Sequence, residues 1–129
     1  MRVCLDSWAV LAWLDGDEPA AGVVQATFDV ERRWMSWLNL GEVSYLLHHR
    51  HGPDEAAVVI RRLRAALALD EVTPERVLAA ARVKAEHPIA FADCFAAATA
   101  TAREATLLTG DPELLERELG CRTRDLRAP

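Results

Sequence analysis

Short β-prone runs alternate with longer helical segments along almost the whole chain, and most of the runs end on residues suited to opening a helix. Val3-Cys4-Leu5 stops at Asp6-Ser7, an N-cap pair, and Ser7–Leu14 then reads as a helix closed by Asp15-Gly16. Pro19 opens a second helix through about Glu31, and Trp34-Met35-Ser36 reads as a short strand with Trp37 just beyond it. Leu38–His49 is expected as a third helix, broken by Gly52-Pro53, after which Asp54 caps a fourth over about 55–67. Leu69–Val72 reads as a strand, and Thr73-Pro74 opens a fifth helix to about Glu86. An Ala-rich helix over 92–103 leads to strand Thr106–Thr109, and Gly110-Asp111-Pro112 starts a helix ending near Gly120. Cys121–Asp125 is a weaker, edge-like strand. Such alternation implies right-handed crossovers and a parallel sheet covered on both faces. The expected fold is therefore α/β in three layers, α/β/α, with a short central parallel sheet flanked by helices.

At 129 residues the chain matches one domain, expected over 1–129, and is long enough to hold a core without disulfides or a structural metal. Its net charge of −5 excludes a polyanion binder held by bulk positive charge, so any nucleic-acid contact must be local. The 3 cysteines, Cys4, Cys94 and Cys121, form no CxxC pair; Cys4 and Cys94 read as small core residues in a reducing compartment. With no signal peptide and no run approaching a membrane span, the expected location is cytoplasmic.

Most charges fall on polar helix faces, but Asp6, Glu42, Asp93 and Asp111 do not. Asp6 and Asp111 follow strands at their carboxyl ends, where open parallel sheets place their ligand crevice. Each is also a good helix cap, and taken singly that plain reading is the stronger one. Glu42 shares a helical stripe with Leu38, Tyr45 and Leu46, a core-facing position that calls for a cation, either an arginine or a metal. Asp93 opens its helix in line with Ala96, Ala97 and Ala100, small residues that let it lie against the sheet. Jointly the four would converge on one mouth of the sheet, and clustered carboxylates cannot all stay ionised without a cation. A site of carboxylates with neither His nor Cys selects a hard ion, Mg²⁺ or Mn²⁺. Such ions polarise phosphate, acidify water and stabilise a leaving oxygen.

The blocks Val3-Cys4-Leu5-Asp6-Ser7-Trp8-Ala9, Asn39-Leu40-Gly41-Glu42-Val43, Phe91-Ala92-Asp93-Cys94-Phe95-Ala96-Ala97 and Leu107-Leu108-Thr109-Gly110-Asp111-Pro112 resemble the PIN-domain family, most closely the VapC toxins of type II toxin–antitoxin modules. The resemblance runs in order along essentially the whole chain. It implies an endoribonuclease dependent on Mg²⁺ or Mn²⁺, with Asp6, Glu42, Asp93 and Asp111 as catalytic and metal-binding carboxylates. Ser7 and Thr109 match positions carrying supporting hydroxyls. Trp8 departs from the pattern, standing where many members have a second small hydroxyl residue. A homodimer, an RNA substrate and a small antitoxin that blocks the pocket are also implied. The alternatives are a PIN-fold module that binds RNA or protein without cutting, and a PIN nuclease with a non-toxin role in RNA processing.

Other features carry less. His48, His49 and His51 read as solvated residues at a helix C-terminus rather than as a zinc site. Trp8, Trp13, Trp34 and Trp37 fit core or subunit packing better than base stacking. The first helix, apolar nearly all round, is the expected partner-facing surface. Arg61, Arg62 and Arg64, and Arg122, Arg124 and Arg127, are potential phosphate guides, with ordinary surface charge favoured for the first cluster. A receiver-type phosphoacceptor would need an acidic pair at the first strand and a late lysine, and a haloacid-dehalogenase-like phosphatase would need an aspartate where Trp8 stands.

Overall fold

The structure is a computed structural model of the chain and describes residues 2–30 and 32–128. Five parallel strands, β1 (Arg2–Leu5), β2 (Arg32–Ser36), β3 (Ala68–Asp70), β4 (Thr106–Thr109) and β5 (Thr123–Asp125), form one sheet in the order β3-β2-β1-β4-β5. Between them run α1 (Ser7–Asp15), α2 (Ala20–Val30), α3 (Trp37–His51), α4 (Pro53–Ala66), α5 (Pro74–Glu86), α6 (Phe91–Ala102) and α7 (Pro112–Leu115).

Side chains alternate across the strands, so the sheet buries two separate apolar layers. Val3 and Leu5 of β1 and Leu108 of β4 join Val10, Val24, Leu40, Val43 and Leu63 from α1–α4. Cys4 and Leu107 face the other way, onto Ala80, Phe95, Ala96, Ala97, Ala100 and Leu114 from α5–α7. This is the expected α/β/α sandwich. α6 lies close to the sheet because Ala96, Ala97 and Ala100 are small and fully buried.

β1 sits at the centre, its Cys4 paired with Trp34 of β2 on one side and with Leu107 of β4 on the other. From β1 the chain moves outward to β2 and β3; it then returns to β4 and moves out the opposite way to β5. The connections after β1 and β4 therefore diverge, and a crevice opens at the carboxyl ends of these two strands.

Several boundaries differ from the sequence reading. Trp37 is the first residue of α3, not an extension of the strand. α4 starts on Pro53 with Gly52 before it, so Asp54 lies in the first turn and is not the cap. β3 ends at Asp70, two residues early, because Asp70 turns inward to Arg76 and Arg103 while Glu71 and Val72 are exposed. α7 is a single turn, and the chain from there to Gly120 is irregular although Leu114 and Leu119 are both buried. The expected end of the second helix at Glu31 falls outside the described residues. Tyr45 is 53% exposed, which overturns the core-facing stripe assigned to Glu42; the buried face of α3 is Leu40, Val43 and Leu47.

Candidate metal centre

β1 and β4 are in register at Leu5 and Leu108, so the next residues, Asp6 and Thr109, lie abreast at the carboxyl edge. Asp6 is 2% exposed and serves two partners: Oδ1 accepts from Ala9 N at 2.8 Å, and Oδ2 accepts from the Thr109 hydroxyl. Asp6 thus caps α1, as the plain reading had it, and also stands in the crevice. The two roles use different oxygens.

Asp111 repeats the arrangement on β4. Its Oδ1 caps α7 by accepting from Glu113 N at 2.9 Å, and its own N–H donates to Thr109 Oγ1 at 3.0 Å. Gly110 before it is required sterically: a Cβ there would stand 2.3 Å from the Trp8 ring. Trp8, the departure from the family pattern, therefore lies against the backbone that delivers Asp111.

Glu42 projects from α3, one turn after Asn39, and its Oε1 accepts from the Ser7 hydroxyl. It is half-buried and has no arginine partner; the ion pairs among the described residues all lie elsewhere. Asp93 stands in the first turn of α6, whose N-cap is Ala90, so its carboxylate does not cap the helix.

The four acids, drawn from four separate segments, are brought within electrostatic reach of one another. Burial pushes the Asp93 carboxyl up to about 7, helped by the charges of Asp111, Asp6 and Glu42 and by a side-chain hydrogen bond with Asp111. Burial likewise pushes Asp6 up to about 7; the bonds from Thr109 and Ala9 oppose the rise, and Asp111 and Glu42 add to it. The tightest grouping is Asp93, Asp111 and Glu113, which offer oxygens all within 4.8 Å of one another. Asp6 and Glu42 stand outside that trio. Glu113 was missed in the sequence because an acid in the first turn of a helix ordinarily answers the helix dipole; its place two residues after Asp111 was the available signal.

This donor set is all carboxylate oxygen, the chemistry that suits Mg²⁺ or Mn²⁺, and its unsatisfied repulsion is what a divalent ion would relieve. The residues therefore fit such an ion. A separate cleft of about 680 Å³, lined by Glu75, Arg76, Arg82, Glu86, His87 and Glu118 among others, contains none of these acids.

The remaining sequence features are placed as follows. Trp13 stacks on Phe28 with centroids 4.8 Å apart, and Trp34 lies under the guanidinium of Arg103 at 3.9 Å. Trp37 lies under Arg64 at 5.1 Å, and His51 approaches Glu55 at 3.7 Å across the α3–α4 turn. Cys4 and Cys94 are buried and Cys121 partly so, all as free thiols. Among the described residues no helix is long and apolar enough to cross a membrane.

A family model described as PIN domain matches residues 3–118. No curated protein matches the chain significantly. Among solved structures, the DNA-bound VapBC of Salmonella typhimurium superposes with a TM-score of 0.79 at 18% identity, covering 98% of this chain and 98% of that one. VapBC2 of Rickettsia felis, bound to a promoter DNA fragment, gives 0.78 at 15% identity over 97% and 98% of the two chains. VapC20 of Mycobacterium tuberculosis, described as a sarcin–ricin loop cleaving toxin, gives 0.71 at 18% identity over 88% and 93%.

Proposed function

The chain belongs to the PIN domain family, and from that premise we propose that residues 1–129 form one metal-dependent endoribonuclease domain, the VapC-type toxin of a toxin–antitoxin pair. The observation that carries the reading is the meeting of Asp6, Glu42, Asp93 and Asp111 at the crevice between β1 and β4, where burial first and the neighbouring carboxylates second raise Asp6 and Asp93. The similarity to VapBC complexes supports an antitoxin as partner; a homodimer, RNA as substrate and a cytoplasmic location belong to the same proposal.

Asp6, Glu42, Asp93 and Asp111 would hold Mg²⁺ or Mn²⁺, with Glu113 close enough to join Asp93 and Asp111. When bound, the ion supplies charge to offset the phosphodiester and acidity to a water. The chain's own residues do the positioning. Ser7 and Thr109 each donate a hydroxyl hydrogen to a carboxylate: Ser7 engages Oε1 of Glu42, and Thr109 with Ala9 N holds Asp6 by both of its oxygens. Capping uses Oδ1 of Asp111 and leaves Oδ2 directed elsewhere. In the ion-free chain Asp6 and Asp93 are raised to about 7, and an ion held by them would favour their ionised form.

The test is cleavage of matched RNA and DNA oligonucleotides with Mg²⁺ or Mn²⁺ and with EDTA, using Asp6→Asn and Asp93→Asn as controls. RNA cleavage that needs the ion and is lost in both variants is expected. Full activity in EDTA, or in both variants, would overturn the reading.

A further inference from the structure

Asn39 is 1% exposed and belongs to none of the carboxylate pairs, yet it touches both neighbouring helices that build the site. Its Nδ2 donates to the carbonyl of Ala92 at 3.0 Å, and Ala92 immediately precedes Asp93 in the first turn of α6. Its own carbonyl lies 3.2 Å from the Ser7 hydroxyl, whose one hydrogen is shared between it and the closer Glu42 carboxylate. Glu42 follows one turn later on α3, so the amide and the carboxylate share a helix face. One side chain therefore links the helix carrying Glu42 to the helix carrying Asp93, and its main chain links both to the residue after Asp6.

The amide makes this link at a cost. Among the described residues its Oδ1 is buried with no hydrogen-bond partner. Turning the amide over would not help, since Oδ1 would then face the Ala92 carbonyl, acceptor against acceptor. The orientation is thus set by the bond to α6, and the side chain is present for its donor.

We infer that Asn39 is a positioning residue, which sets the separation of Glu42 and Asp93 and so the affinity of the site for a divalent ion. The inference rests on the metal-site reading above. Like other groups that orient ligands from behind, it acts on affinity through geometry and not through contact with the ion.

The experiment titrates Mn²⁺ into the whole chain and reads the free-ion signal by electron paramagnetic resonance, with the melting temperature of each variant measured alongside. Asn39→Ala removes the link, and Asn39→Thr removes it at nearly constant volume, its hydroxyl lying one bond nearer the backbone. Val24→Ala, in the buried face of α2 and in the apolar layer away from α6, is the control for lost stability alone. Both Asn39 variants should bind Mn²⁺ about ten-fold or more weakly, and Val24→Ala should bind as the parent does even if it melts lower. Unchanged affinity in the Asn39 variants would overturn the inference and leave the metal site standing. Weakening that simply follows melting temperature across all three variants would also overturn it. If the parent takes up no Mn²⁺, the metal-site reading falls and this inference with it.

Discussion

Thr109 donates its hydroxyl hydrogen to the buried carboxylate of Asp6, so the acid that ends the central strand is held by the strand beside it. The bond favours the ionised form and opposes the rise that burial imposes on Asp6. Thr109→Val keeps the shape and removes the donor. The Asp6 carboxyl should then titrate higher still, moving the midpoint for Mn²⁺ uptake upward by about half to one pH unit. Mn²⁺ titrations of parent and variant across pH check this.

Without metal, the folded chain keeps protons on Asp6 and Asp93 up to about 7, whereas the unfolded chain releases them near 3.8. Between those values the folded state binds more protons, so stability falls as pH rises, and the full penalty stands above about 7. Melting in EDTA should therefore drop between about pH 4 and pH 7. Asp6→Asn should flatten that slope and exceed the parent at the upper end by about 1–3 kcal/mol, while losing cleavage.

Adding Mn²⁺ should remove the penalty at its source. At about a hundred times the dissociation constant the gain is about 2.7 kcal/mol, and it should be largest above about pH 7, where the acids are ionised. Scanning calorimetry with and without the ion measures it, and EDTA should reverse it.

Asp70 is a buried acid of the opposite kind. It is 1% exposed and receives Arg76 Nε at 2.6 Å and Arg103 Nε at 2.8 Å; although burial would raise it, these two guanidiniums hold its carboxyl below the usual value. Its contribution is present above the unfolded value and is lost as pH falls through the lower folded one. Asp70→Ala strands two arginines and should cost about 3–5 kcal/mol, with Mn²⁺ affinity unchanged. Denaturant melts and a Mn²⁺ titration separate the two effects.

Gly110→Ala would drive a methyl into the Trp8 ring and should cost about 1–3 kcal/mol by overpacking, shifting Asp111 with it. Trp8→Ala makes room. The double variant should lose less than the sum of the two single changes, and a double-mutant cycle on stability and Mn²⁺ affinity gives the coupling.

The strand ends were legible because punctuation marks them: Asp6-Ser7 and Gly110-Asp111-Pro112 each close a strand and open a helix within a few residues. The crevice followed from the alternation of elements, since divergent crossovers leave few other places for acids after β1 and β4. Glu42 was singled out for a reason the structure corrects. Its stripe through Tyr45 is partly solvated, and the contact that accompanies it, with Ser7, lies 35 residues away in sequence. Glu113 and Asn39 were hidden for opposite reasons. One looks like an ordinary first-turn acid, and the other a polar residue whose burial depends on the approach of α6. The inward turn of Asp70 was equally invisible, because Arg103 is the C-cap of a helix that begins 21 residues further along the chain.

The β1–β4 ladder is also a seam. Everything before the exposed Glu71-Val72 segment builds β1, β2 and β3 and supplies Asp6 and Glu42; everything after it builds β4 and β5 and supplies Asp93 and Asp111. Neither stretch carries more than half of the quartet, and the two meet along the line that ends at the crevice. On the metal-site reading, a nascent or proteolytically nicked chain would lack half of the quartet until its second half docks, which makes that segment a natural point at which to split the molecule for conditional reassembly.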